Sequence, residues 1–349
     1  MRKYHLLFTI LAFVLSVAGC ATVQEPPQPP IDTSKLVWPP PPDEAKVKFV
    51  TLYRGGSDLE GGQSFLRFLG EDVEGNFRRP HGIVADRKGN IFVSDTELLI
   101  VYKLDFEKKR STTIGESGTQ QVRIPMGLAI DNDRGYLFIA DLFSKTVMVY
   151  DKDTGSFKFA IGQAADTFKR PVSIALNTKT QMVYVADTKL HMVKVFDYSG
   201  KFLFSIGKGE RSLEDDGFNV PSSVAISPKD GKLYVSDMFN RYIKVFTSDG
   251  KFVKKIGQGV GTGFGFFSKL IGVALDSEGH LYGLDVDFGN FQIFDEESNQ
   301  LLTYVSKSGK NPGDLLLPTT IFIDEKDRIY VTDTFNFRVQ VFQYLGSRK

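Results

Sequence analysis

Six stretches of the 349-residue chain superpose without a gap: IFVSDTELLIVYKL (91–104), LFIADLFSKTVMVY (137–150), VYVADTKLHMVKVF (183–196), LYVSDMFNRYIKVF (233–246), LYGLDVDFGNFQIF (281–294) and IYVTDTFNFRVQVF (329–342). They align on Asp95, Asp141, Asp187, Asp237, Asp285 and Asp333, at spacings of 46, 46, 50, 48 and 48 residues. Three positions before each Asp stands an aromatic ring: Phe92, Phe138, Tyr184, Tyr234, Tyr282 or Tyr330. Nine positions after it stands Leu104, Tyr150, Phe196, Phe246, Phe294 or Phe342. A fixed period of this length marks a repeat architecture, in which each unit buries its apolar faces against its neighbours.

Each unit reads as four strands. The first follows a proline and alternates, as in Pro80-His81-Gly82-Ile83-Val84-Ala85. A glycine-containing turn leads to the second, which ends at the repeated Asp, and a loop leads to the third. The fourth typically closes on Ile-Gly, as at Ile114-Gly115, Ile161-Gly162, Ile206-Gly207 and Ile256-Gly257. Period-two alternation with short turns marks antiparallel strands, and four-stranded units repeated radially are propeller blades. The sixth unit runs out after its third strand, and VKFVTLY (47–53) is the candidate for the missing one. Pairing it there closes the ring and removes an exposed sheet edge. The predicted fold is all-β: a six-bladed β-propeller of four-stranded antiparallel blades, closed by an N-terminal strand.

The motifs Pro-x-Gly-Ile-x-x-Asp, Gly-Asn-Ile-x-Val-x-Asp and Asn-x-x-Val-x-Val-Phe resemble the NHL repeat over residues 47–345. The start of the chain adds to this. A basic opening (Arg2, Lys3) precedes an apolar run from Leu6 to Val17, too short to span a bilayer and read as an export signal. It ends in Val17-Ala18-Gly19-Cys20, which resembles the lipobox of bacterial lipoproteins; that resemblance implies acylation of Cys20, the only cysteine. The whole is thus similar to bacterial NHL-repeat lipoproteins. Ala21, where inner-membrane lipoproteins often carry Asp, implies outer-membrane sorting, with the membrane face left open.

The expected organisation is a signal peptide at 1–19, a lipidated Pro-rich linker at 20–46 and the propeller at 47–346. The linker holds eight of the fifteen prolines, which favour a stiff extended spacer, and Trp38, read as docking on the domain's own surface.

Composition narrows the function. Forty-three basic and 42 acidic residues leave no overall basic character for phosphate binding, and one cysteine excludes disulfide frameworks and Cys-rich zinc modules. Each repeated Asp sits where its carboxylate can accept backbone N–H bonds from the loop that follows, a structural role. Propeller enzymes resembling NHL lyases hold a metal with converging histidines, and lactonase-type propellers use carboxylates and Asn on calcium. Here His81 is placed at the channel mouth, His191 in a loop of the third blade and His280 on the opposite face, so they do not converge. The positions following the other blade starts, Met126, Val172, Ser222, Leu270 and Thr319, offer no carboxylate; Glu97 and Asp287 are the nearest. No catalytic residue, metal or cofactor is therefore expected.

A surface remains. Two residues after each Asp the loop tips read Glu97, Phe143, Lys189, Phe239, Asp287 and Phe335, with Phe in the even blades and charge in the odd ones. Phe288, Phe337, Arg241 and Arg338 lie in the same loops. Rings and arginines on one rim are typical of interaction hot spots, unless they fold back onto neighbouring blades. With His81, read also as a satisfied channel residue, they are the candidate binding set. The expected function is a monomeric, membrane-anchored, non-enzymatic scaffold that binds an envelope protein or peptide and no nucleic acid. The alternative is a metal-dependent lyase or lactonase working in the channel; a sugar-binding propeller is a weaker reading because only one Trp is present.

Overall fold

The computed structural model describes residues 32–59 and 75–346, apart from 117, 119, 166 and 262. The signal segment, the Cys20 lipobox and the first prolines lie outside the described residues. From residue 33 onward the chain forms one compact unit.

That unit is a six-bladed propeller. Blade I runs Pro80–Ala85, Ile91–Asp95, Ile100–Asp105 and Arg110–Ile114, innermost to outermost, as one antiparallel sheet. Blades II to V repeat this order, beginning at Pro125–Asp131, Pro171–Asn177, Pro221–Ile226 and Leu270–Leu275. Blade VI contributes Thr320–Ile323, Arg328–Asp333 and Arg338–Tyr344 and takes its fourth strand from Val47–Tyr53. The closing strand pairs antiparallel with Arg338–Tyr344, Val47 opposite Tyr344 and Tyr53 opposite Val339. The expected closure is present.

The structure adds a fifth strand to that blade. Val37–Trp38 pairs outside the closing strand, Val37 opposite Lys48 and Trp38 opposite Val47. The Trp38 ring meets Phe342 edge-on at 5.6 Å, so this indole packs on its own domain.

Middle strands are buried on both faces, because neighbouring blades cover both. Ile91–Asp95 and Leu233–Asp237 are accordingly buried along their whole length. Outer strands alternate instead: in Phe252–Ile256 the exposed Val253 and Lys255 alternate with half-buried Phe252 and Lys254 before buried Ile256. The apolar residues form six clusters, each shared by two adjacent blades, so the cores lie between blades. The six aromatics three positions before the Asp are the wedges of these clusters, each no more than 2% exposed. Burying such a ring stabilises the fold by about 1.5–3 kcal/mol.

Up-and-down blades put two sets of connections on one face: the loops after the second strands and the crossings from one blade's outer strand to the next blade's inner strand. The two tight turns of each blade lie on the other face.

Candidate functional site

The loop face is built around the six aspartates, all fully buried. In blade I the Asp95 carboxylate accepts N–H bonds from Glu97 and Leu98 on one oxygen and from Arg78 and Arg79 on the other. Asp285 does the same with Asp287, Phe288, Ser268 and Lys269. Each carboxylate therefore ties down the loop after it and also the segment entering the inner strand of its own blade. Blades IV and VI replace part of this with charge. Asp237 faces Lys244 Nζ at 3.0 Å and Asp333 faces Arg338 Nε at 2.6 Å, both pairs almost wholly buried. Burial pushes the Asp237 carboxyl up, while the Lys244 charge pulls it down. Asn240 and Asn336 donate to the same carboxylates and to carbonyls of the crossing segment.

The loop geometry is fixed a further two residues on. Four positions after each Asp the backbone is left-handed: Leu99, Lys145, His191, Arg241, Gly289 and Phe337 all have φ between 52° and 62°. Only blade V uses glycine. There an added Cβ would lie 2.6 Å from Ser308 Cα and 2.7 Å from Leu315 O, so close approach excludes a side chain.

With the loops held this way, the tip rings do not fold back. Phe143 is 64% exposed, Phe337 54%, Phe239 51% and Phe335 45%. The Arg123 guanidinium sits over Phe143 at 5.6 Å and that of Arg79 over Phe335 at 5.8 Å. Such pairs hold a ring by about 0.5–1 kcal/mol while leaving its other face free. Two members of the expected set differ. Phe288 is only half-exposed. Arg338 is 3% exposed, donates to Asp333 and to the carbonyls of Asn311 and Asp314, and is a buried strut rather than a rim donor. A buried carboxylate draws the nearest cation inward, and the Asp333 side chain is five residues away. Arg241 is half-buried and donates to Ser268 O across the neighbouring segment.

The crossing segments bring further apolar groups to the same face: Leu213 (77% exposed), Val260 (71%) and Phe264 (60%). Among the described residues, ten of the sixteen exposed large apolar side chains stand on this face, and only Leu345 stands at the opposite one. Sequence alignment on the repeated Asp points to the loop tips alone. The up-and-down topology was the signal that the crossings share their face.

At the centre of the face the channel opens into a cavity of about 370 Å³, lined among others by His81, Met126, Arg170, Val172, Lys189, Ser222, Phe239, Ile271 and Thr319. Deeper in, a second space of about 220 Å³ is walled mainly by Ile, Val, Leu and Ala side chains. In blade V the mouth residue is Ile271. Leu270, expected there, pairs with Asp285 and is buried, because a shift of one residue turns a strand side chain to the other face. Neither Glu97 nor Asp287 lines the cavity.

The histidines separate as expected by topology. His81 lines the mouth; its carbonyl accepts the hydroxyls of Thr319 and Thr332, and its buried Nδ1 has no hydrogen-bond partner among the described residues. Desolvation by the channel wall, with the Arg79 charge, lowers its pKa to about 4. His191 Nδ1 accepts the Val220 N–H. His280 lies at the opposite face, 2.9 Å from Asp276, whose hydrogen bond raises its pKa. Among the described residues no group of three His, Cys, Asp or Glu is arranged to hold a metal ion.

The chain is similar to NHL repeat-containing protein 2 from Gallus gallus, 27% identical over 189 residues, which is 42% of this chain and 26% of that protein. The Bos taurus protein of that name is 29% identical over 104 residues, 26% of this chain and 14% of the relative. The match thus spans about a quarter or less of these relatives' length. No protein-family model matches. Among solved structures, a Bacteroides thetaiotaomicron protein superposes with a TM-score of 0.62 at 16% identity, covering 85% of this chain and 75% of that one. An auxiliary nutrient binding protein from the same organism gives 0.59 at 13%, covering 79% and 71%. Virginiamycin B lyase from Staphylococcus aureus gives 0.56 at 12%, covering 77% and 96%. At these identities the structural likenesses carry the fold alone. Repeat sequence and blade count together make the chain a six-bladed β-propeller whose repeats are similar to those of NHL repeat-containing proteins.

Proposed function

We propose that this protein is a docking propeller that binds a protein or peptide through the loop face, held at a bacterial membrane by acyl chains on Cys20. One observation carries the reading: Phe143, Phe239, Phe335 and Phe337 stand exposed around one rim, while the opposite turns carry charge. Exposing large apolar groups on one side of a soluble domain is unfavourable unless a partner covers them. The lipobox-like Val17-Ala18-Gly19-Cys20 supports anchoring in the envelope, and Ala21 after the cysteine supports the outer membrane. The binding unit in this reading is a monomer, because the closing strand completes the ring within one chain.

In-cell crosslinking from a photoreactive group at position 143 should give a discrete adduct, identified by mass spectrometry. The combined Phe143→Ala, Phe239→Ala and Phe335→Ala variant should lose that partner while keeping its circular dichroism. A partner retained by the triple variant, or reached only from the opposite turns, defeats the reading. Cys20→Ser should release the protein from the membrane fraction. The alternative, a metal-dependent lyase or lactonase, has the lyase-like fold in its favour; stoichiometric zinc or calcium in the purified protein would put it in place of docking.

A further inference from the structure

We infer that the channel mouth is a binding site for a small organic anion, a carboxylate on an apolar body. This goes beyond docking at the rim and stands on the donor and acceptor inventory of the 370 Å³ cavity. The volume lies at the small end of the range for ligand sites, about 300–1,000 Å³.

The cavity is rich in donors and poor in acceptors. No carboxylate lines it. Arg170 and Lys189 stand at its edge, exposed, with no side-chain hydrogen bond or ion pair among the described residues. Ser173 Oγ accepts the Val224 N–H at 3.2 Å and Ser223 Oγ accepts the Val273 N–H at 3.3 Å. Each hydroxyl has thus used its oxygen to bridge adjacent inner strands, and its own proton has no acceptor among the described residues. A hydroxyl both donates and accepts, so these two keep a donor for whatever enters. His81 adds an imidazole whose Nδ1 has no partner among the described residues. Two cations beside low-dielectric walls attract an anion and concentrate it at the mouth. An inorganic anion would leave the rest of the cavity unfilled, because Met126, Val172, Met238, Phe239 and Ile271 form its walls. A carboxylate entering the cavity meets donors in Ser173, Ser223 and Arg170, all of which line it, and charge-assisted bonds are the stronger kind.

A free monocarboxylic acid and the C-terminus of an apolar peptide share this chemistry. Calorimetry on the purified full chain distinguishes them, with octanoate against octanamide in one arm and N-acetyl-Leu-Phe against its C-terminal amide in the other. In at least one arm the carboxylate should bind and its amide should bind tenfold or more weaker; the arm that responds names the source. The combined Arg170→Gln and Lys189→Gln variant, both exposed positions, should melt as the parent does and lose tenfold or more in affinity for the responding carboxylate. Phe143→Ala, at a rim ring that does not line the cavity, should leave that affinity unchanged, which separates this site from the rim. Amides binding as tightly as carboxylates, no carboxylate binding in either arm, or full affinity in the double-Gln variant overturns the proposal.

Discussion

The two faces of the disc are made from the same repeat yet solve opposite problems. Turns on the far face are short and charged, and their polar groups are paired locally. Arg87 bridges Asp133 and Glu325 from adjacent blades. Asp276 collects His280 and Tyr282, and Asp324 collects Arg328 and Tyr330. The loop face buries two charge pairs, Asp237–Lys244 and Asp333–Arg338, beneath rings that it turns outward. Buried carboxylates fix the loops there, so exposed rings are held in place without packing against the domain. The lesson is that rigidity and stickiness can be separated by a few residues of one loop.

The sharpest way to break the comparison is to remove a buried charge from beneath the loop face. Lys244→Met leaves Asp237 buried and uncompensated and should cost about 3–5 kcal/mol, measured by denaturant unfolding. A loss under 1 kcal/mol would mean that backbone donors alone hold that loop. Next comes the left-handed residue. Gly289→Ala should cost about 1–3 kcal/mol from strain at positive φ, with more from the contact with Ser308. Lys145→Gly at the equivalent position should be neutral or stabilising by up to about 1 kcal/mol, since left-handed backbone penalises a side chain by roughly 1–2 kcal/mol and glycine returns part of that as chain entropy. The far face should respond least to a lost ion pair. Arg87 and both its partners are more than half exposed, so Arg87→Ala should cost no more than about 1 kcal/mol, and less in high salt.

The histidines sharpen the contrast with little change in stability at neutral pH. His81 at the mouth should stay neutral until the pH approaches about 4, whereas His280 at the far face should take its proton above the usual imidazole value. Imidazole shifts in NMR, assigned with His81→Asn and His280→Asn, read both directly. The signs differ. His81 is harder to protonate folded than unfolded, so its contribution to stability falls as pH drops from about 6.5 towards about 4. His280 is easier to protonate folded, so its contribution is complete below about 6.5 and is lost as pH rises through its raised value. Both rings titrating together near 6.5 would erase the distinction between the faces.

Much of the site was legible in the chain because the repeat has a register. Alignment on the Asp located all six loop tips, and the alternation of strands placed His81 at the mouth. The errors arose where register alone does not decide orientation. Leu270 and Ile271 are adjacent and both apolar, so composition could not say which faces the channel. Arg338 looked like a rim donor because nothing local shows that Asp333 is buried. The left-handed residue four positions after the Asp was invisible, since five of the six blades place a side chain there.

The sequence by itself determined the blade number, the strand order and the closing partner, because those follow from periodic burial, which is written in residue types. Only the tertiary structure decided which polar atoms are left over. Whether the Ser173 proton or the Arg170 guanidinium is already engaged depends on what neighbouring blades present across a few ångströms, and those neighbours lie some fifty residues away in the chain.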